Sequence, residues 1–185
     1  MTEPETLPPR MIPATMIIHQ EGAIALIALV GVWFRDGGVA TAFAPRGGMA
    51  AAIAIGVGSG LACFCVLWLV RTAGPLRDLE SWQRRMVDGW TVGDALAVAV
   101  FSGLAEEALI RALLQPVIGL VPAAVVFAAL HVVPDRKLWM WPVVALALGL
   151  VVGGVFARWG YPAAAAAHVI INGLSLGRFR TTETS

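Results

Sequence analysis

The sequence predicts an all-α protein, a polytopic transmembrane helix bundle of about six spans with an interfacial amphipathic helix. Two observations of composition support this fold class: 58% of the 185 residues are hydrophobic, and only 14% are charged. A soluble domain carries about 25% charged residues. Because so little polar surface cannot cover a globule in water, most of the surface must face lipid. We therefore expect an integral membrane protein.

Six segments are candidate transmembrane helices, each of which ideally needs about 20 mostly apolar residues. Met49–Val70 and Leu138–Ala157 are the clearest, because neither contains a charged residue. The other four candidates are Ala14–Phe34, Thr91–Leu114, Pro122–Val133 and Pro162–Leu176. The first of these contains His19 and Glu21, which indicate either a shorter first helix or an entrance to a cavity.

The segment Pro75–Trp90 separates the second and third spans. Its apolar residues recur at helical spacing, and charged residues occupy most of the remaining positions. This pattern predicts an amphipathic helix lying in the membrane interface, with an ordinary connecting loop as the alternative. Thr91 is then a candidate N-cap of the third span, where the carboxylate of Asp94 suits the helix dipole.

The spans divide the chain into four parts, and the sequence predicts neither a second domain nor a soluble appendage. We expect a disordered tail over residues 1–13, N-terminal transmembrane helices with the interfacial helix over 14–90, a core over 91–177 and a C-terminal tail over 178–185. Nine Lys and Arg residues lie on the predicted side that holds both termini, and three lie on the other side. This asymmetry predicts cytoplasmic termini in a cell (inner) membrane.

A cluster of ionisable side chains inside the third span needs an explanation, because a charge there costs about 2.5–3.5 kcal/mol. Glu106 and Glu107 are adjacent, and Arg111 follows Glu107 by four residues on the same helix face, where the two can pair. Glu106 points about 100° away and is freer to face another group. Burial beside a second carboxylate is a setting in which glutamate serves as a general base.

Two of the three histidines lie in other apolar segments at a matching depth. His131 lies in the fourth span, and His168 precedes Asn172 by four residues in the last. At about 1.5 Å per residue, Glu106 and His131 lie roughly 13 and 15 Å from the turn between their spans. His168 and Asn172 lie at roughly 10 to 17 Å on the same side. Three spans thus bring these side chains into one layer.

These residues resemble the three motifs of the CPBP family (CAAX protease and bacteriocin-processing, or Abi), which are EExxxR, FxxxH and HxxxN. Here the motifs read Glu106-Glu107-Ala-Leu-Ile-Arg111, Phe127-Ala-Ala-Leu-His131 and His168-Val-Ile-Ile-Asn172. The resemblance covers about residues 91–177. Family members often carry an aromatic residue before the motif arginine and a glycine after it, whereas this chain has Ile110 and Ala112.

The resemblance implies an intramembrane glutamate-dependent endopeptidase that hydrolyses a peptide bond near the membrane surface. The substrate would be CAAX-type, a C-terminal sorting tail or bacteriocin-like. Glu106 would activate a water molecule that His131 helps to hold, and His168 and Asn172 would stabilise the oxyanion. The remaining motif residues would orient and pack the site: Glu107, Arg111 and Phe127.

The resemblance implies that no cofactor is needed. A divalent metal is the alternative, with Glu106, His131 and His168 as ligands around an open position, although HExxH is absent. A non-catalytic immunity or scaffold protein on the same fold is a rival function. A proton-coupled transporter is a weaker one, since buried glutamate and histidine also serve proton relays, but no internal repeat is visible.

The expected partners are membrane lipid and a protein or peptide substrate with a membrane-associated tail. A net charge of +1 without a basic run predicts no nucleic-acid partner. On the predicted orientation, the site would open nearer the non-cytoplasmic face.

Overall fold

The computed structural model describes residues 12–181, without the side chains of residues 180 and 181. Most of the tail predicted over residues 1–13 and the end of the tail predicted over 178–185 lie outside the described residues. Helices are the regular elements of the described part: α1 (Ala14–Asp36), α2 (Met49–Val70), α3 (Leu76–Met86), α4 (Val92–Glu107), a π-helical segment (Ala108–Leu114), α5 (Gln115–Ile118), α6 (Leu120–Ala129), a 3-10 turn (Arg136–Leu138), α7 (Met140–Trp159) and α8 (Tyr161–Thr181). The predicted all-α class is confirmed.

Within the described residues, three helical stretches are long and apolar enough to cross a membrane: Ala14–Asp36, Met49–Val70 and Arg136–Trp159. They correspond to three of the six predicted spans, and the other three stay predictions. α1 runs unbroken from Ala14, so the alternative of a shorter first helix is wrong. α6 ends at Ala129, four residues before the predicted end, so His131 lies in the turn that follows.

The segment between the second and third spans folds as the predicted helix, α3, rather than as a loop. Leu79 is its buried side chain, and Trp82 stacks on Trp141 of α7 with ring centroids 4.7 Å apart. Arg178 of α8 donates two hydrogen bonds to the carboxylate of Glu80, at 2.9 and 3.1 Å. These contacts hold α3 across one end of the bundle. Its place in the membrane interface stays a prediction.

The predicted start of the third span is confirmed by a reciprocal cap. The backbone N–H of Asp94 donates to Oγ1 of Thr91 at 3.0 Å, and the backbone N–H of Thr91 donates to Oδ2 of Asp94 at 2.8 Å. This arrangement satisfies two backbone donors that the first turn of a helix leaves free.

α8 occupies the middle of the bundle, between α2 and α4. The alanines 163, 164, 165 and 167 are buried, which lets the neighbouring backbones approach closely. A methyl group at Gly56 of α2 would overlap the carbonyl oxygen of Ala163, and one at Gly60 would lie 2.6 Å from that of Ala167. α2 and α8 therefore run parallel at a separation that only glycine permits. α8 also extends to Thr181, beyond the predicted end at Leu176.

Candidate active site

The helix that carries the glutamates changes its winding directly after them. α4 ends at Glu107 and continues as the π-helical segment Ala108–Leu114, which contains Arg111. Short π-helical insertions occur frequently at functional sites. The carbonyl oxygen of Leu104 accepts a hydrogen bond from the hydroxyl of Tyr161 at 2.9 Å, which ties this stretch to the start of α8.

Glu107 is buried and fully engaged. Its Oε2 accepts a hydrogen bond from Nε of Arg111 at 2.9 Å, and its Oε1 lies 2.8 Å from Nδ1 of His168. The predicted pairing of Glu107 with Arg111 is therefore confirmed. Nη1 of Arg111 donates to Oε1 of Gln115 at 3.2 Å, and Nε2 of Gln115 donates to the carbonyl oxygen of Gly153 at 2.9 Å. This chain of bonds locks Glu107 in place.

His168 lies between the two glutamates. Because an ionised carboxylate only accepts hydrogen bonds, the ring hydrogen lies on the Nδ1 that faces Glu107. Nε2 points instead toward Glu106, with 3.9 Å to Oε2 of that residue. The side chain of Glu106 is 20% exposed, against 1% for Glu107, and its Oε2 has no hydrogen-bond partner among the described residues. Of the two carboxylates, Glu106 is the one with an oxygen that no described residue engages.

Phe127 organises the aromatic side of the site. Its ring centroid lies 4.6 Å from that of His131 and 5.9 Å edge-on from that of His168, and the guanidinium of Arg111 stacks on it at 5.6 Å. Nδ1 of His131 donates to the carbonyl oxygen of Phe127 at 2.8 Å, since a carbonyl can only accept. Nε2 of His131 is therefore the nitrogen available to a reactant. Trp141 covers the other side of His131, at 5.7 Å.

Asn172 is held by a residue of α4. Its Nδ2 donates to Oγ of Ser102 at 2.9 Å, and Ser102 is buried one helical turn before Glu106. The amide of Asn172 is thereby oriented relative to the helix that carries the glutamates.

A cavity of about 150 Å³ extends from Arg111 to α3. Its polar wall includes Glu107, His131, His168 and Asn172, but not Glu106. At the far end its wall is formed by Arg71, by Leu76, Leu79, Glu80 and Gln83 of α3, and by Arg178. No residue of the turn over 115–121 lines it. This turn lies at the predicted non-cytoplasmic end, where the sequence placed the opening of the site. That prediction differs from the structure, in which the cavity extends to the opposite end of the bundle.

Comparison with known proteins agrees with this arrangement. Residues 88–174 match the family model described as Rce1-like, type II CAAX prenyl endopeptidase. This segment belongs to the Rce1-like family. The match confirms the resemblance drawn from the three motifs, and it spans all seven motif residues. No curated protein and no solved structure matches the chain.

Membership of the Rce1-like family indicates an intramembrane CAAX-type endopeptidase in general, and hence a protease in the membrane. The three motif segments of the Rce1-like match converge in the structure, with His168 at their centre. The individual roles of Glu106, Glu107, Arg111, Phe127, His131, His168 and Asn172 stay predictions.

The side chains suggested for a metal do not form a metal centre in this arrangement. Within residues 12–181, no group of three His, Cys, Asp or Glu side chains is placed to hold a metal ion. Nδ1 of His168 is bound to Glu107, so only Nε2 of that ring could serve as a ligand.

Three supporting residues of the Rce1-like site were not predicted from the sequence: Ser102, Gln115 and Trp141. Ser102 had a usable signal, because it precedes Glu106 by four residues and so shares its helix face. Gln115 likewise had a usable signal, because it follows Arg111 by four residues. Trp141 is separated from His131 by a loop whose path the sequence does not predict, so their contact could not be foreseen.

Proposed function

We propose that this Rce1-like chain hydrolyses a peptide bond near the membrane surface, with Glu106 as the base that activates water. The observation that carries the proposal is the difference between the two adjacent glutamates. Glu107 is neutralised by Arg111 and bound to His168, whereas Oε2 of Glu106 is unpartnered beside the same ring. A general base must have such a free oxygen within reach of the proton that it removes.

The reaction follows from this geometry in two steps. Glu106 takes a proton from a water molecule steadied by Nε2 of His131, while the water oxygen bonds to the carbonyl carbon of the substrate. Glu106 then returns the proton to the amide nitrogen as the carbon–nitrogen bond breaks, leaving a carboxylic acid and an amine. No cofactor takes part in this scheme.

The oxyanion of the intermediate needs donors placed in advance. Asn172 offers its amide, which Ser102 orients at 2.9 Å. His168 offers Nε2 when the ring is an imidazolium, because both ring nitrogens then donate. The ionised carboxylate of Glu107, 2.8 Å from Nδ1 of the ring, complements that charge after Glu106 has taken its proton.

The size and direction of the cavity indicate which substrates could reach the site. Its volume of about 150 Å³ is less than the roughly 300 Å³ of a typical ligand pocket. We infer that the site admits an extended tail by a shift of α3, which covers the far end of the cavity. On the orientation predicted from charge, that end faces the cytoplasm, which suits a CAAX-type tail on a cytosolic protein.

The proposal is tested with the purified full-length chain in detergent. Peptides that end in CAAX-type tails, with and without a prenyl group, and membrane-anchored sorting tails are incubated with and without a chelator, and products are identified by mass spectrometry. We expect cleavage that the chelator does not affect and that Glu106→Ala and Glu106→Gln abolish. Loss of cleavage on chelation would make the reaction metal-dependent. Equal cleavage by both Glu106 variants would contradict a glutamate base.

A further inference from the structure

Glu21 is a buried carboxyl group that the proposed reaction does not use. Its side chain is on the buried face of α1 with the residue 5% exposed, while His19 and Gln20 on the same helix are exposed. Its Oε2 has no hydrogen-bond partner among the described residues. α1 is apolar and long enough to span a membrane. A carboxyl group in such a helix is costly, so its inward placement calls for an interaction within the bundle.

The register of α1 against α4 places Glu21 at the height of Glu106. The two helices run parallel: Ala14 packs in one cluster with Ala95, and Nη1 of Arg35 donates to the carbonyl oxygen of Leu113 at 2.6 Å. A methyl group at Gly31 would lie 2.8 Å from the Leu113 side chain. Counting up from the cluster of Ala14 and Ala95, where both helices are α-helical, Glu21 lies about 10 Å and Glu106 about 16 Å along the bundle at 1.5 Å per residue, about one helical turn apart. Two glutamate side chains easily span this difference.

The packing of α1 supports the same placement of Glu21. α1 packs against α4 and the π-helical segment, so the buried side chain of Glu21 is turned toward the helix that carries Glu106. Two carboxyl groups in one buried site resist being ionised together. The oxyanion role of His168 requires an imidazolium, and its Nε2 lies 3.9 Å from Oε2 of Glu106. The negative charge of the pair therefore belongs on Glu106 and the proton on Glu21.

We propose that Glu21 is a positioning residue of the active site, which holds a proton and donates a hydrogen bond that fixes the ionised carboxylate of Glu106. The bond runs directly or through one water from Glu21 to the Glu106 carboxylate. It gives a partner to the buried Oε2 of Glu21, which has none among the described residues, and leaves Oε2 of Glu106 to the water that it deprotonates. A protonated carboxyl group is a donor, as this arrangement requires. The inference rests on the proposed function of Glu106 as the base.

The protonation state is measured first, by infrared spectroscopy of the full-length chain in detergent at neutral pH. We expect a protonated-carboxyl band that Glu21→Gln removes and that His19→Gln, an exposed control on the same helix, leaves intact. A band of equal intensity in Glu21→Gln would overturn the proposal. This measurement needs no substrate, so it is independent of whether the chain cleaves peptides.

Steady-state kinetics then test whether Glu21 positions Glu106 or only stabilises the fold. With a substrate that wild type cleaves, we expect Glu21→Ala to lower kcat about ten- to hundredfold with little change in KM, as a misplaced catalytic group does. Glu21→Gln, which keeps a neutral donor of the same shape, is expected to recover most of that loss. The proposal is overturned if Gln is as damaging as Ala, since an ionised Glu21 would then be required, or if neither variant lowers kcat.

Discussion

Two identical neighbours, Glu106 and Glu107, have different environments, and the difference comes from helix geometry. The sequence predicts it in part: Arg111 lies four residues after Glu107 and pairs with it, while Glu106 is rotated about 100° away. The bond from His168 to Glu107 was not predictable, because it depends on the relative register of separate helices, which residue spacing within one helix does not determine.

The buried ion pair gives a prediction for stability. Arg111→Met leaves the buried carboxylate of Glu107 facing His168 alone, so we expect a loss of about 3–5 kcal/mol in the free energy of unfolding. Glu107→Gln combined with Arg111→Met removes the uncompensated charge and should recover part of this loss. Unfolding in detergent, followed by circular dichroism, measures both variants. Unchanged stability of Arg111→Met would contradict the pair's structural importance.

The contact between Ser102 and Asn172 gives a prediction for rate. Ser102→Ala removes the acceptor that orients the Asn172 amide, so we expect kcat to fall about tenfold with KM nearly unchanged, less than the loss of a whole oxyanion donor. Steady-state kinetics on a cleaved tail peptide provide the test, with Ser59→Ala on α2 as the matched control. If both serine variants cleave at the same rate, Ser102 does not position the amide.

At the scale of elements, the helices were largely predictable and their winding was not. The apolar lengths of α1, α2 and α7, the capping box at Thr91 and the amphipathic pattern of α3 all follow from local sequence. The buried alanines before His168 are small residues of the kind that lets helices pack closely, as α8 does. The π-helical segment after Glu107 has no signal of its own, because its extra residue per turn is accommodated by contacts with Tyr161, Gln115 and the neighbouring helices.

The parallel contact of α2 with α8 predicts a sharp difference between neighbouring glycines. Gly56→Ala would drive a methyl group into the backbone of Ala163, at a cost of about 1–3 kcal/mol, and would shift the helix that carries His168. Gly58→Ala meets nothing within 4 Å and should stabilise α2 by up to about 1 kcal/mol. Thermal unfolding of both variants in detergent provides the comparison. Equal melting temperatures would contradict the close approach.

At the scale of the whole molecule, the loops divide between two ends of the bundle. The backbone N–H of Arg46 donates to the carbonyl oxygen of Trp159 at 3.0 Å, which places the loop after α1 and the loop after α7 together. α3 and Arg178 lie at the other end, where the cavity extends. The sequence predicted this sidedness from the order of spans. The sequence prediction placed the opening of the site at the wrong end, because the depth of a residue along its helix does not determine which neighbouring helices close the cavity.

Sidedness in the membrane can be measured with cysteine variants. After Cys63 and Cys65 are replaced by alanine, Asp135→Cys should react with a membrane-impermeant thiol reagent only from the cytoplasmic side, and Gly38→Cys only from the other. The basis is the excess of Lys and Arg on the side of residues 71–90 and 134–137. The reverse labelling pattern would place the cavity mouth outside the cytoplasm and favour secreted or surface-anchored tails.

The most direct test of the account compares Glu106→Gln with Glu107→Gln. Both changes remove one charge from adjacent residues, so the comparison separates the free carboxylate from the paired one. We predict that Glu106→Gln unfolds like wild type and cleaves no peptide, whereas Glu107→Gln is less stable and keeps measurable cleavage per folded molecule. A Glu106→Gln variant that still cleaves, beside a folded Glu107→Gln variant that does not, would show that Glu107 is the base.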